Sequence, residues 1–310
     1  MADRDNKQIA RFTDGLRVKP GSRVTLARDF DPGFIGPFAT KADGAALLSR
    51  GIEIVSEYQS RLAAQDTHGV LVVLQGIDAA GKDGTIRHVM SGVNPQGVNV
   101  HSFKVPSESE LAHDFLWRYA KNLPARGEIG IFNRSYYEEV LVVRVHQVNL
   151  SREHMPSQAI GPDVWNRRYR EINDWERYLV DNGFAIVKVF LNLSKEQQRI
   201  RFLKRIDVPE KNWKFSASDI RERASWDAYQ SAFSDMLSNT STSYAPWYVI
   251  PADHKWYART CVSAILAHTL MSINPQYPTL SKQARQELKE ARVQLEAEAA
   301  HGRHGGRRVR

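Results

Sequence analysis

A single cysteine, Cys261, stands in 310 residues, so no intrachain disulfide can form. A chain without disulfides suits a reducing compartment. Cys261 itself falls in an apolar helical stretch and reads as a core residue. Long apolar runs are missing as well. The longest, such as "VLVVL" at 70–74, are too short to span a bilayer. The opening "MADRDNKQIARFTDG" has no stretch resembling a signal peptide. A cytoplasmic location with no membrane partner is expected. The ten histidines show no metal-ligand spacing, which argues against a zinc site built on them. The sequence also lacks internal repeats and long linkers.

What the chain does have is positive charge, a net +8, which favours polyanionic partners. Part of the excess sits in "HGRHGGRRVR", a tail that reads as disordered and solvated rather than as a nucleic-acid contact. Hydrophobic residues make up 42%, enough for a sizeable core.

Apolar runs at 70–74, 98–103, 129–132, 184–193 and 247–252 alternate with helical patterns at 43–66, from Lys82, at 163–181 and at 254–273. The segment "SYYEEVLVVRVHQ" reads as helical, and Ser107 with Glu110 forms a capping-box signature. This order predicts an α/β three-layer sandwich, a mostly parallel five-stranded sheet flanked by helices. Residues 1–40, with "DPGFIGPF", read as an extended N-terminal arm, and 41–275 as the catalytic domain. Residues 276–310 read as a charged helix near 280–300 followed by the basic tail. From 194 to 243 the chain is basic and helical with no strand, as expected of a lid over the sheet's carboxyl edge.

The stretch "LQGIDAAGKDGT" has the spacing of a phosphate-binding loop, but Asp83 stands where Ser or Thr is usual. Gly76, Ala79, Ala80, Gly81, Lys82, Asp83, Gly84 and Thr85 form the expected cradle, with backbone N–H groups and a helix N-terminus facing the anion. Carboxylates there repel a phosphate unless a cation intervenes, and Mg²⁺ prefers oxygen ligands. Asp78 is a candidate magnesium ligand, directly or through water, and a candidate for orienting an attacking phosphate oxygen; it also suits a turn. Asp83 suits the helix dipole.

The third strand ends in "FNRS". P-loop enzymes usually hold magnesium there through an acidic residue, whereas Asn133 brings no charge and suits a role through water. Arg134 follows within reach of a transferring phosphate. Glu138 lies at i+4 from it, a spacing that also fits a plain surface pair. In the lid, Arg201 and Arg205 share a helix face, with Lys204 beside them and Lys211 and Lys214 in the following loop. Lys104 is a further candidate contact for a chain of phosphates, and Arg87 a weaker one. Trp213 and Phe215 suit packing more than stacking on a base.

Four segments, "GIDAAGKDGT", "FNRSYYEE", "DVPEKNWKFSASD" and "YAPWYVIPADHKWYAR", make the chain resemble polyphosphate kinase family 2 over about 35–275. The resemblance implies a P-loop kinase-like fold similar to thymidylate kinase, with a helical lid. It also implies dependence on Mg²⁺, with Mn²⁺ as a substitute, and assembly as a homodimer or homotetramer. It places the family's first-motif aspartate and lysine on Asp78 and Lys82, and its second-motif arginine on Arg134. Glu138 looks like the residue of the subgroup that phosphorylates both AMP and ADP, where the diphosphate-specific subgroup usually has Asn.

The activity implied is reversible transfer of a terminal phosphate of inorganic polyphosphate to AMP or ADP, with GMP and GDP as further acceptors to test. Lys82, Arg134 and lid cations would stabilise the moving charge, and Asp78 would act through the metal. Two other readings share the loop: an ATP-dependent nucleoside monophosphate kinase, and a nucleic-acid-binding P-loop protein, which no recognition motif supports.

Overall fold

β1 (Gly69–Gln75) is buried at every position, and its side chains divide by parity. Val70, Val72 and Leu74 enter one core, and Leu71 and Val73 the other. A strand covered on both faces belongs at the centre of a parallel sheet, and the computed structural model, which describes residues 2–38, 40–146, 150–153 and 155–304, places it there. β2 (Val98–Ser102), β3 (Ile129–Asn133), β4 (Phe184–Asn192) and β5 (Trp247–Pro251) complete a five-stranded sheet in the order β2-β3-β1-β4-β5. All pairings are parallel.

Helices Lys41–Gln65 and Lys255–Ile273 cover one face, and Val164–Asp181 and Trp226–Thr240 the other. The register pairs Leu74 with Asn133 and Gln75 with Phe190. The segments that leave β1, β3 and β4 therefore start side by side at the carboxyl edge. The described chain divides into units Met1–Pro275 and Gln276–Arg310. Among the described residues no helix is long and apolar enough to cross a membrane.

Several elements differ from the expectation. The N-terminal arm is not extended. Ala2–Asp14 is helical, Ile9 and Leu16 enter the core, and the Val18 N–H donates to the Trp247 carbonyl at 2.9 Å. Its helix packs on the helix Lys255–Ile273, and Leu16 and Val18 pair with the edge of β5, which local Gly and Pro content does not disclose. "SYYEEVLVVRVHQ" forms only a 3₁₀ turn (Tyr136–Val140) and a short helix (Val142–His146), because Tyr136 and Tyr137 are pulled into the core; Gln147 lies outside the described residues.

The expected lid, 194–243, is two things. Lys195–Asp207, Pro209–Lys214 and Ala217–Glu222 carry the basic residues. Trp226–Thr240 packs Ala232, Phe233, Met236 and Leu237 into the core. In the second unit, the helix Lys282–His304 runs into the segment expected to be disordered, and 305–310 lie outside the described residues.

Candidate active site

The turn from β1 into the loop helix (Lys82–Val89) needs left-handed backbone at several points. Gly81, at φ 106°, adopts it without a β-carbon to clash. Ala79 (φ 65°) and Arg134 (φ 64°) adopt it despite theirs, at a cost of about 1–3 kcal/mol each that the surroundings must offset. For Arg134 the anchor is its own N–H, which donates to the Leu74 carbonyl at 3.1 Å. That bond turns the side chain across β1 toward the loop.

There the guanidinium sits between two carboxylates. Nη2 donates to Asp78 Oδ1 at 2.6 Å and Nη1 to Glu138 Oε2 at 3.2 Å. Glu138 also accepts from Gln75 Nε2 at 2.9 Å. Glu138 and then Asp78 raise the Arg134 pKa further, against the cost of burial, so the group is a permanent cation. Lys82 is buried, and its Nζ donates to the carbonyls of Gly76 (2.6 Å) and Ile77 (3.4 Å). Burial, followed by repulsion from Arg134, lowers its pKa to about 8. Asp78, Lys82, Arg134 and Glu138 are thus brought together. Gln75 joins them, a residue that reads in the sequence as the end of a strand.

Asp83 faces the other unusual position. Asn133 Nδ2 donates to Asp83 Oδ1 at 2.8 Å and to Ser102 Oγ at 3.3 Å. The loop carries a carboxylate where a hydroxyl is usual and the strand an amide where a carboxylate is usual, so one carboxylate remains at the β3 side of the loop. Lys214 reaches the same carboxylate, Nζ to Oδ2 at 3.8 Å. Among the described residues no group of three or more His, Cys, Asp or Glu side chains is arranged as a metal cage. Asp78 and Asp83 supply oxygen donors of the kind Mg²⁺ takes when substrate phosphates and water complete its shell.

The lid residues divide. Arg201 is not available to substrate. It is buried, and its guanidinium donates to the carbonyls of Ala79 and Ala80, both at 2.8 Å, of Asp253 at 3.1 Å and of Ala252. Gln198 adds a bond to the Asp78 carbonyl at 2.9 Å. These bonds hold loop carbonyls outward, and the physical reason for the changed role is that an uncapped turn of peptide oxygens needs donors. Arg205 pairs with Asp219 at 3.0 Å inside the lid. Lys204 and Lys211 have no ion pair among the described residues. Lys255 and Arg259, at the head of the helix after β5, are cations near the loop that sequence reasoning missed. They lie in "HKWYAR", where the i, i+4 spacing was the available signal.

On the β2–β3 side a cavity of about 280 Å³ is lined by Phe103, Lys104, Arg118, Tyr119, Arg134 and Glu138, among others. It offers aromatic surface and cations beside Arg134, and it contains the predicted Lys104. A larger, mostly apolar cavity of about 830 Å³ lies between the N-terminal helix and Tyr257 and holds none of the phosphate-loop residues.

The description "Polyphosphate kinase 2 (PPK2)" belongs to the family profile that matches residues 39–278. A Rhodopseudomonas palustris protein named ADP-polyphosphate phosphotransferase is 50% identical over 285 residues, covering 91% of this chain and 98% of that one. A Meiothermus ruber protein named AMP/ADP-polyphosphate phosphotransferase is 49% identical over 266 residues, 84% of this chain and 94% of that one. The crystal structure of Polyphosphate Kinase 2 from Arthrobacter aurescens TC1 superposes with a TM-score of 0.80 at 40% identity, over 89% of this chain and 95% of that one.

Proposed function

The chain belongs to the polyphosphate kinase 2 family, and on that basis we infer that it is a polyphosphate-dependent nucleotide kinase, moving phosphate between inorganic polyphosphate and AMP or ADP. The observation that supports a specific mechanism is the convergence of Lys82, Asp78, Arg134 and Glu138 between a phosphate loop and a cavity of about 280 Å³.

The reaction is a direct in-line transfer. A terminal phosphate oxygen of the nucleotide attacks the terminal phosphorus of the polymer, and the bridging P–O bond breaks. The electron pair leaves on a polymer one unit shorter. The attacking oxygen is already anionic, so no strong base is required. Lys82 and the loop N–H groups hold the polymer's end. Arg134, fixed by its two carboxylates, meets the charge that builds on the equatorial oxygens. Glu138 does its work through Arg134 and is the residue that favours both AMP and ADP as acceptors. Mg²⁺, held by Asp78 with Asp83 nearby and by Asn133 through water, would neutralise phosphate charge when bound.

Incubation with ADP, Mg²⁺ and polyphosphate should yield ATP, and AMP should yield ADP. Transfer only from ATP to AMP would replace this reading with a monophosphate kinase.

A pH dependence follows. Lys82 and Lys255 are both lowered to about 8 in the free protein, so each is a cation below that value and neutral above it. Losing the cations weakens the grip on an anion. kcat/KM for polyphosphate should therefore fall as pH rises through about 8, since that parameter reports the free enzyme. A profile that stays level well above pH 8 would show that neither lysine meets the polymer.

A further inference from the structure

Glu138 faces Arg134, but the next residue of the 3₁₀ turn Tyr136–Val140 takes no part in the chemistry above. Glu139 is buried and lines the cavity of about 280 Å³ together with Lys104, Arg118 and Tyr119. Its partners come from other segments. Tyr119 Oη, in the short helix Trp117–Ala120, donates to Glu139 Oε1 at 3.0 Å. Arg168, buried in the helix Val164–Asp181, donates from Nη1 to the Glu139 carbonyl at 2.9 Å. The same nitrogen stands 3.6 Å from Glu139 Oε2. Arg168 Nη2 donates to Glu153 Oε2. The other oxygen of Glu153 is buried and has no hydrogen-bond partner among the described residues.

Two buried carboxylates thus share one guanidinium, and Glu153 holds the closer contact. Like charges confined to one dry site resist ionising together, so the pair keeps a proton to higher pH than a solvated carboxylate does. Burial pushes the Glu139 carboxyl up to about 7; Arg168 draws it down, and Glu153 pushes it up again. The Tyr119 hydrogen bond and Arg118 act in the same direction as Arg168. Burial raises Glu153 as well, against Arg168. Lys104, Arg118, Arg134 and Glu138 are the other charged groups lining the cavity.

The proton matters to a substrate because of where the cavity lies. The polymer's end occupies the phosphate loop, so the nucleotide comes to it from the side of Arg134, and the cavity is the recess there. The Tyr119 ring packs on Phe103 with centroids 4.6 Å apart, and the Arg118 guanidinium lies 5.4 Å from each ring. A charge on Glu139 sits directly behind this aromatic and cationic wall, where burial keeps salt from screening it fully.

We propose that Glu139, sharing Arg168 with Glu153, is a proton-sensitive positioning residue that acts on the nucleotide acceptor through Tyr119 and Arg118, strengthening its binding when neutral and weakening it when ionised. The physical basis is charge balance. With Glu139 neutral, the cations of the wall are left to the acceptor's phosphates. With Glu139 ionised, part of that positive charge is compensated inside the protein. The proposal rests on the polyphosphate kinase reading given above, with the nucleotide entering this cavity.

The test is direct titration of ADP with Mg²⁺ into wild type, Glu139→Gln and Glu153→Gln between pH 6 and 8, without polyphosphate. The ionisations of ADP and of Lys82 are common to all three proteins and cancel in the ratio of each variant's Kd to that of wild type. Glu139 loses its proton across this range, so the wild-type Kd should rise with pH by about three- to tenfold more than that of Glu139→Gln, as for one charge roughly 10–15 Å away in a partly dry site. Glu153→Gln leaves Arg168 to Glu139 alone, so the step should move to lower pH. A purely structural role would weaken ADP equally at every pH. Equal pH dependence in wild type and Glu139→Gln, or a step that Glu153→Gln does not move, would overturn the proposal. If Glu139→Gln melts below wild type, the shift in Glu153→Gln decides. In turnover, KM for ADP should follow the same pattern, with KM for polyphosphate alike in wild type and Glu139→Gln. A protein that shows the ADP pattern but makes no ATP from polyphosphate would count against the functional reading and leave the role of Glu139 standing.

Discussion

Arg134→Ala is expected to lower kcat by about 10³- to 10⁵-fold, the range set by a single well-placed arginine in phosphoryl transfer. The expectation rests on placement. The guanidinium is pinned by Asp78 at 2.6 Å and Glu138 at 3.2 Å, and its backbone holds a left-handed conformation that directs it to the loop. A group fixed before substrate arrives loses little freedom at the transition state, which is why the loss should appear in kcat more than in KM. Arg134→Lys should rescue only in part, since an ammonium cannot keep both carboxylates while presenting a planar donor edge. Steady-state kinetics with ADP and polyphosphate measure this. A loss under tenfold, or one confined to KM for the nucleotide, would remove Arg134 from the transferring phosphate.

Lys188→Ala should cost about 3–5 kcal/mol of stability, the penalty for leaving one partner of a buried ion pair alone. Lys188 lies on β4 with no exposed surface. Its Nζ donates to Glu176 Oε2 at 2.6 Å, the Thr240 carbonyl at 2.6 Å and Tyr137 Oη at 3.0 Å. Glu176 accepts in turn from Tyr136 and Tyr137 at 2.8 and 2.7 Å. Burial lowers the Lys188 pKa, with Glu176 acting against it. Removing the ammonium strands the carboxylate; removing both, as in Lys188→Met/Glu176→Leu, should recover much of the loss. Urea unfolding of the variants and wild type gives the comparison, and a single variant within about 1 kcal/mol of wild type would show that the pair contributes little. The network matters to chemistry because Tyr136 and Tyr137 follow Arg134 closely in the chain. Anchoring their rings anchors the turn that carries Arg134 and Glu138.

The core of the fold was legible because strands and helices write their periods into the chain. Runs such as "VLVVL" and "FAIVKVFLNL" are what a two-sided strand requires, and five of them separated by helices leave few architectures. The phosphate loop was legible because its glycines, lysine and flanking elements are local. The N-terminal helix was missed because its partner, the helix Lys255–Ile273, lies more than two hundred residues away. The basic lid was only half legible. A helical Arg has one signature whether it meets water, a ligand or peptide carbonyls, and Arg201 turned out to meet the carbonyls of Ala79 and Ala80. Arg205 met Asp219, and the cations without an ion pair among the described residues proved to include Lys255 and Arg259.

Residue order alone was enough to establish the class of fold and the phosphate chemistry, and to single out the two segments, around Asp78 and around Arg134, that the fold brings together. Which charges face each other came from the three-dimensional packing: Arg134 with Asp78 across 56 residues, Arg201 with the loop across more than 120, and Asn133 with Asp83 across 50. The reason is geometric. Periodicity says which face of an element is buried, but the neighbour on that face is set by sheet order and register, which bring distant segments to one edge.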